Sequence, residues 1–260
     1  MRIEIWSDVV CPWCYIGKRR LETALAGFEH RDEVEIVWRS FQLDPAAPLV
    51  PEQSVAESLG QKYGGGPEAG RQMVERVEAV AAEEGLLFRL GEAQRINTVD
   101  AHRLLHLAHA QGGPALQSLL KEELLAAYFL RAENVADHDL LRRTAEKVGL
   151  AVNRVEEVLA GREYADEVEA DIREAASLGA TGVPFFVVDR SFGVSGAQPA
   201  EVFGQVLERA WTASHPQLDV VGGADACGPD GCAICADPGA ALRARGPAPG
   251  GRPPRPAARR

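Results

Sequence analysis

The sequence predicts an α/β fold in which a sheet is begun, interrupted by a block of helices, and then completed. Three observations carry that reading. The first forty residues hold a strand–helix–strand pattern, about 120 residues then follow helical rather than alternating periodicity, and strand signals return at 183–195 ahead of a closing helix. Neither flank has enough strands to close a core alone, so the two are expected to build one sheet.

Residues 2–8 alternate around Ile3 and Ile5, with Trp6 beside them, and read as a strand starting almost at Met1. A helix follows from Pro12 to about Phe28, with Ile16, Leu21, Leu25 and Phe28 at near-helical spacing. Pro12 suits a first-turn position, where a missing N–H costs nothing. Residues 33–40 read as a second strand, and β-α-β in so short a span implies a parallel pair with a right-handed crossover. Pro45, Pro48 and Pro51 then break the chain, and 52–179 reads almost wholly helical. Met73, Val77 and Val80 make a face stopped at Gly85; Asn97 and Asp100 fit a cap and an acid three residues on, ahead of Leu104 and Leu105; Leu116, Leu120, Leu124 and Tyr128 recur every four residues. Asp137 and Asn153 fit caps of two shorter helices, with Gly149 and Gly161 as their stops. A last helix of the block, about 163–178, turns Tyr164, Val168 and Ile172 inward and sends Glu163, Asp166, Glu167, Glu169, Asp171 and Glu174 to solvent before Gly179. Strands are expected at 183–188 and 192–195, then a helix at 199–211 with Val202, Val206 and Leu207 on one face.

The chain of 260 residues is 46% apolar and 25% charged, which is ordinary globular usage and excludes wholesale disorder. A formal charge of −10 argues against general nucleic-acid binding, which needs a basic face. No run of 18 apolar residues is present to span a bilayer, and the N-terminus lacks the basic and apolar regions of a secretion signal, so the expected compartment is the cytoplasm, with no membrane or nucleic-acid partner. Residues 236–260 hold ten Pro plus Gly and six Arg against one Asp, and read as a disordered basic tail. These changes divide the chain into 1–45, the first part of the α/β domain; 46–165, the inserted helical domain; 166–218, the second part; and 219–260, a cysteine-containing extension.

Five cysteines are too few for a disulfide scaffold, and they fall in two clusters, Cys11 and Cys14 near the start and Cys227, Cys232 and Cys235 near the end. Cys11-Pro12-Trp13-Cys14 follows a strand and opens a helix, the context of a redox motif. At the helix start, free N–H groups and the positive end of the helix dipole stabilise a thiolate, so the Cys11 pKa is expected below its ordinary value. Cys14, one turn on, is placed to attack a mixed disulfide formed at Cys11 and release the partner. Pro12 shapes the turn, and Trp13 offers a flat apolar surface beside the sulfur. The competing reading is a zinc site made with Cys232 and Cys235, in a chaperone-like zinc protein.

A strand, CPWC at a helix start, a helical insertion and the later Gly182-Val183-Pro184-Phe185-Phe186 resemble the thioredoxin superfamily, specifically the DsbA family and its FrnE-like cytoplasmic subgroup. Asn97-Thr98, Ala101-His102-Arg103 and Ser195-Gly196-Ala197-Gln198 support the resemblance. It implies an α/β thioredoxin-like fold with an inserted all-helical domain and a C-terminal extension, and a thiol–disulfide oxidoreductase acting on protein or small thiol and disulfide substrates. It also implies that the Val183–Pro184 bond is cis and faces Cys11, where Val183 would pair with an extended substrate chain. CPWC carries neither the Gly-Pro of thioredoxin nor the Pro-His of DsbA, so an intermediate potential is expected, and a pair mostly reduced in a reducing cytosol.

The same superfamily branch contains kappa-class glutathione transferases and 2-hydroxychromene-2-carboxylate isomerases, which act on small aromatic substrates. Cys14 argues against that alternative, because orienting a glutathione sulfur needs no resolving thiol. No cofactor beyond the redox-active disulfide is expected; glutathione is a candidate reductant, with Ser195 and Gln198 as candidates to hold it. The turn-forming sequence between Cys227 and Cys232 brings its ends together, so these two, or Cys232 with Cys235, form an accessory redox couple in this reading. His102, His106 and His109 share one helix without a convincing third ligand and are read as interface or surface residues, so no metal is assigned.

Overall fold

Strand β1 (Arg2–Ser7) runs inside a four-stranded sheet of order β2-β1-β3-β4, formed with β2 (Glu35–Ser40), β3 (Phe185–Val188) and β4 (Phe192–Ser195). This computed structural model describes residues 1–216; the expectations for 219–260, with Cys227, Cys232 and Cys235, lie outside the described residues. β1 and β2 are parallel with Ile3 opposite Ile36, whereas β3 is antiparallel to β1 and β4 to β3. The late strands therefore complete the sheet begun at the N-terminus. The third strand starts at Phe185, two residues after its expected start, leaving Val183 and Pro184 in the loop before it.

Helix α1 (Pro12–Ala26) and helix α8 (Ala200–Ser214) cover one face of the sheet. Ile3, Ile5, Phe186 and Val188 are buried there against Leu21, Phe28, Phe203 and Leu207. The other face takes Trp6 and Val187 against Ala175 of α7 (Ala165–Ser177). A central strand covered on both faces leaves little access to water, and Glu4, 2% exposed, is accommodated by the guanidinium groups of Arg39 and Arg190.

Between β2 and β3 lie α2 (Val55–Tyr63), α3 (Gly66–Glu83), α4 (Val99–Arg131), α5 (His138–Lys147), α6 (Val152–Ala160) and α7. Ser54 and Glu57 form a capping box at the start of α2, and Asp137 caps α5 through the N–H groups of Asp139 and Leu140. α4 is broken at Gly112–Gly113, just before Pro114, where the backbone leaves helical angles. Asn97 is not the N-cap of α4: Thr98 occupies that position, although Asn97 Oδ1 still accepts from Val99 N at 2.9 Å. Asn153 lies inside α6, which starts after Ala151. Asp171 does not face solvent. Its carboxylate accepts from Ser40 N and Arg39 and meets His106 Nε2, because α7 packs over the end of β2. Among the described residues, no helix is long and apolar enough to cross a membrane.

Candidate functional site

Cys11 and Cys14 are held by the junction between β1 and α1. Cys11 is the N-cap of α1, extended at φ −89° and ψ 114°, and Pro12 takes the first helical position as its fixed φ allows. Cys14 N–H donates to Cys11 O at 3.0 Å and closes the first turn. The helix is fixed to α4 immediately afterwards. Tyr15 OH donates to Glu122 Oε1 at 2.7 Å, Lys18 and Arg19 pair with the same carboxylate, and the Tyr15, Phe88 and Phe129 rings cluster. These contacts resist displacement of the turn that carries the sulfurs.

Cys11 and Cys14 are free thiols, only 3% and 1% exposed, within hydrogen-bonding reach of each other. Cys11 Sγ donates to Val183 O at 3.5 Å, and the Val183–Pro184 peptide bond is cis. Gly17 makes this approach possible: a Cβ there would stand 3.2 Å from both the Pro184 ring and the Phe186 ring. The structure thus brings together Cys11, Pro12, Trp13, Cys14, Val183 and Pro184. Trp13, at 40% exposure, presents its ring beside the sulfurs. Ser195 ends β4 opposite Phe185, and Gln198 lies in the turn after it, where Gly196 N donates to Pro184 O.

A crevice of about 430 Å³ opens at Cys11. Pro12, Trp13 and Val183 form its near end; Val55, Leu59, Lys62 and Tyr63 of α2 and Met73, Val74 and Val77 of α3 form the far wall. The wall is apolar apart from Lys62. α2 and α3 approach closely because glycine stands at both contact points, Gly60 under Gly66 O and Gly70 under Ala56 O.

The polar groups behind the sulfurs were not anticipated from the sequence. Asp8 is fully buried, accepts from Leu43 N at 2.8 Å and meets His102 Nε2 at 3.2 Å. Burial opposes charge on Asp8, but the His102 and Leu43 hydrogen bonds and Lys121 outweigh it and hold the carboxyl below its ordinary value. Burial keeps His102 neutral, its pKa lowered. A carboxylate only accepts, so the ring hydrogen sits on Nε2. His102 is thus a buried partner of Asp8, and His106 bonds Ser40 Oγ and Asp171. Among the described residues no group of three His, Cys, Asp or Glu side chains is arranged to hold a metal ion.

The acidity of the two thiols departs from expectation. The hydrogen bond to Cys14, together with burial, pushes the Cys11 thiol well up. At Cys14 burial also opposes ionisation, but the Cys11 hydrogen bond, Lys121, the Ser7 hydroxyl and the Asp8 N–H outweigh it, and the pKa falls. The helix start does not lower the Cys11 thiol, because its side chain makes no capping bond to the first turn and its sulfur lies against Val183 O and beside Cys14. Two thiols so close titrate as a pair.

A DSBA-like thioredoxin domain matches residues 2–208. A probable DsbA oxidoreductase from Streptomyces coelicolor is 49% identical, with a TM-score of 0.77 over 90% of this chain and 98% of its own. The YwbO protein of Bacillus subtilis (strain 168), itself uncharacterised, is 26% identical across 80% of this chain and 96% of its own. A 2-hydroxychromene-2-carboxylate isomerase, 13% identical with a TM-score of 0.61 over 82% of this chain and 98% of its own, shares the fold alone. With a parallel β1–β2 pair, an antiparallel return and helices between them matching that domain from Arg2 onward, the chain belongs to the DSBA-like thioredoxin family of oxidoreductases.

Proposed function

We propose that this oxidoreductase exchanges disulfides through the CPWC pair. Cys11 gives up its proton to solvent and, as a thiolate, attacks one sulfur of a client disulfide. The client's first sulfur leaves as a thiolate and the second stays joined to Cys11. Cys14 then loses its proton to solvent and attacks Cys11. The Cys11–Cys14 bond forms, and the client's second sulfur departs with the electron pair. The client gains two electrons and the pair loses two; running backward, the same steps oxidise a client dithiol.

One observation carries the reading: two thiols at the start of α1 sit against Val183 and Pro184 at the mouth of an apolar crevice. An enzyme needing only an oriented small thiol has no use for the second sulfur. The crevice favours clients with an apolar side chain next to the half-cystine, with Lys62 at its rim. Reduction of insulin disulfides tests the proposal. Wild type is expected to be active and Cys11→Ser inactive, while Cys14→Ser accumulates a mixed disulfide on Cys11. Full activity in Cys11→Ser refutes it.

A further inference from the structure

We propose that Arg20 is a positioning residue for client binding: its guanidinium, divided between Ala197 O and the Glu84 carboxylate, holds the Val183–Pro184 loop and the α3 wall in place around Cys11. The inference rests on the exchange chemistry proposed above and assigns what keeps the seat of the client aligned with the attacking sulfur.

Arg20 Nε donates to Glu84 Oε1 at 2.6 Å and Arg20 Nη1 to Ala197 O at 2.7 Å. The three residues belong to α1, the end of α3 and the turn after β4, so one side chain ties three separate elements. A planar guanidinium offers donors that point in different directions, as this two-way contact requires. The Arg20 and Glu84 side chains are 18% and 21% exposed, so salt screens the pair less than it would one on the open surface.

The turn that Arg20 grips also supports the loop facing Cys11. Gly196, at φ +78°, bends the backbone so that its N–H donates to Pro184 O at 2.9 Å while the next carbonyl, Ala197 O, accepts from Arg20. Val183 O in turn accepts from Cys11 Sγ at 3.5 Å. The contacts close a circuit: from Cys11 to Val183, through Pro184 to Gly196 and Ala197, and through Arg20 back to α1. Gly17 shows independently that α1 and this turn must fit closely. It stands three residues before Arg20 on the same face of α1, and a Cβ there would lie 3.4 Å from Ala197 Cβ and 3.2 Å from the Pro184 ring.

Glu84 extends the effect to the crevice. It is the C-cap of α3, fixed by its N–H to Ala81 O at 3.0 Å, and Met73, Val74 and Val77 of that helix form the far wall. The dithiol has supports of its own: the Cys14 N–H bond to Cys11 O, and the bonds of Tyr15, Lys18 and Arg19 to Glu122 of α4. Loss of Arg20 therefore loosens the seat of the client and spares the sulfurs.

The test uses the full chain carrying Cys227→Ser, Cys232→Ser and Cys235→Ser, so that only Cys11 and Cys14 report. Insulin-reduction kinetics are measured beside the Cys11–Cys14 potential in glutathione buffers. Arg20→Met, which keeps an apolar stem, is expected to raise KM about tenfold, less than the ~10²-fold that a 1 Å misplacement can cost. The kcat should stay within about twofold and the potential unchanged, the pattern of lost binding rather than lost chemistry. Glu84→Ala frees α3 but leaves the Ala197 contact, and should raise KM by less; it stands in if Arg20→Met fails to fold. An unchanged KM in folded Arg20→Met, or in Glu84→Ala if that variant alone folds, overturns the inference. A shifted potential also overturns it, because the dithiol itself would then be disturbed. If the parent reduces insulin while the variants match it, only the role of Arg20 fails; if the parent cannot form the Cys11–Cys14 disulfide, the exchange chemistry falls and this inference with it.

Discussion

Replacing Gly70 by alanine tests how the wall of the crevice is held. A Cβ added there would stand 1.8 Å from Ala56 O, 2.7 Å from Ala56 C and 3.0 Å from Gly60 N. Even a close carbon–oxygen contact needs about 3.3 Å, so α2 must retreat from α3 by roughly 1.5 Å. The obstructing atoms are backbone, and no side-chain rotation relieves the clash. Overpacking costs about 1–3 kcal/mol, against about 1 kcal/mol recovered because alanine is the better helix former. A net loss of about 2 kcal/mol is expected, toward the upper end because the contact is so short. The retreating helix carries Leu59, Lys62 and Tyr63 away from Cys11 and opens the crevice. Urea unfolding and hydrogen exchange over α2 report the stability. Insulin-reduction kinetics should show a raised KM, with the potential of the pair unchanged. A variant as stable as wild type, as expected for a glycine on an open helix face, would refute the packing argument.

Gly17→Ala pushes α1 a few tenths of an ångström away from Pro184 and Phe186, and is expected to lower kcat/KM while unfolding only slightly earlier in urea. His102 is buried and held neutral, so its stabilising contribution is present at neutral pH and declines as pH falls below the unfolded value of about 6.5. The urea midpoint of wild type should drop between pH 7 and pH 5 by more than that of His102→Gln, whose amide keeps a donor for Asp8. Asp8, held below its ordinary value, adds a further loss as pH falls below about 4, absent from Asp8→Asn. Trp13→Ala removes a half-exposed ring, so stability should change by no more than about 0.5 kcal/mol while KM for peptide disulfides rises.

The strands, α1 and the residues around Cys11 were legible because their signals are local. Alternation marks β1, Pro12 marks a helix start, and Val183-Pro184 stands directly before an apolar strand. The groups behind the sulfurs were not, because chain topology brings them there: Lys121 reaches Ser7 across 114 residues and His102 reaches Asp8 across 94. A signal for Lys121 existed. Leu116, Leu120, Leu124 and Leu125 surround it on more than one side of α4, and a helix apolar on so much of its surface is packed on several sides. Asp171 was misassigned for a related reason. It belongs to an acidic run, and only the register of α7 over β2 shows that its carboxylate turns inward to Ser40 N and Arg39.

The account depends on Cys11 and Cys14 cycling between two thiols and one bond. Peptide mass mapping of the full chain, after mild oxidation and again after reduction, tests this most directly. The predicted result is a Cys11–Cys14 disulfide that forms and is fully reversed. Thiols that stay free under oxidation, or sulfurs held by stoichiometric zinc, would contradict it.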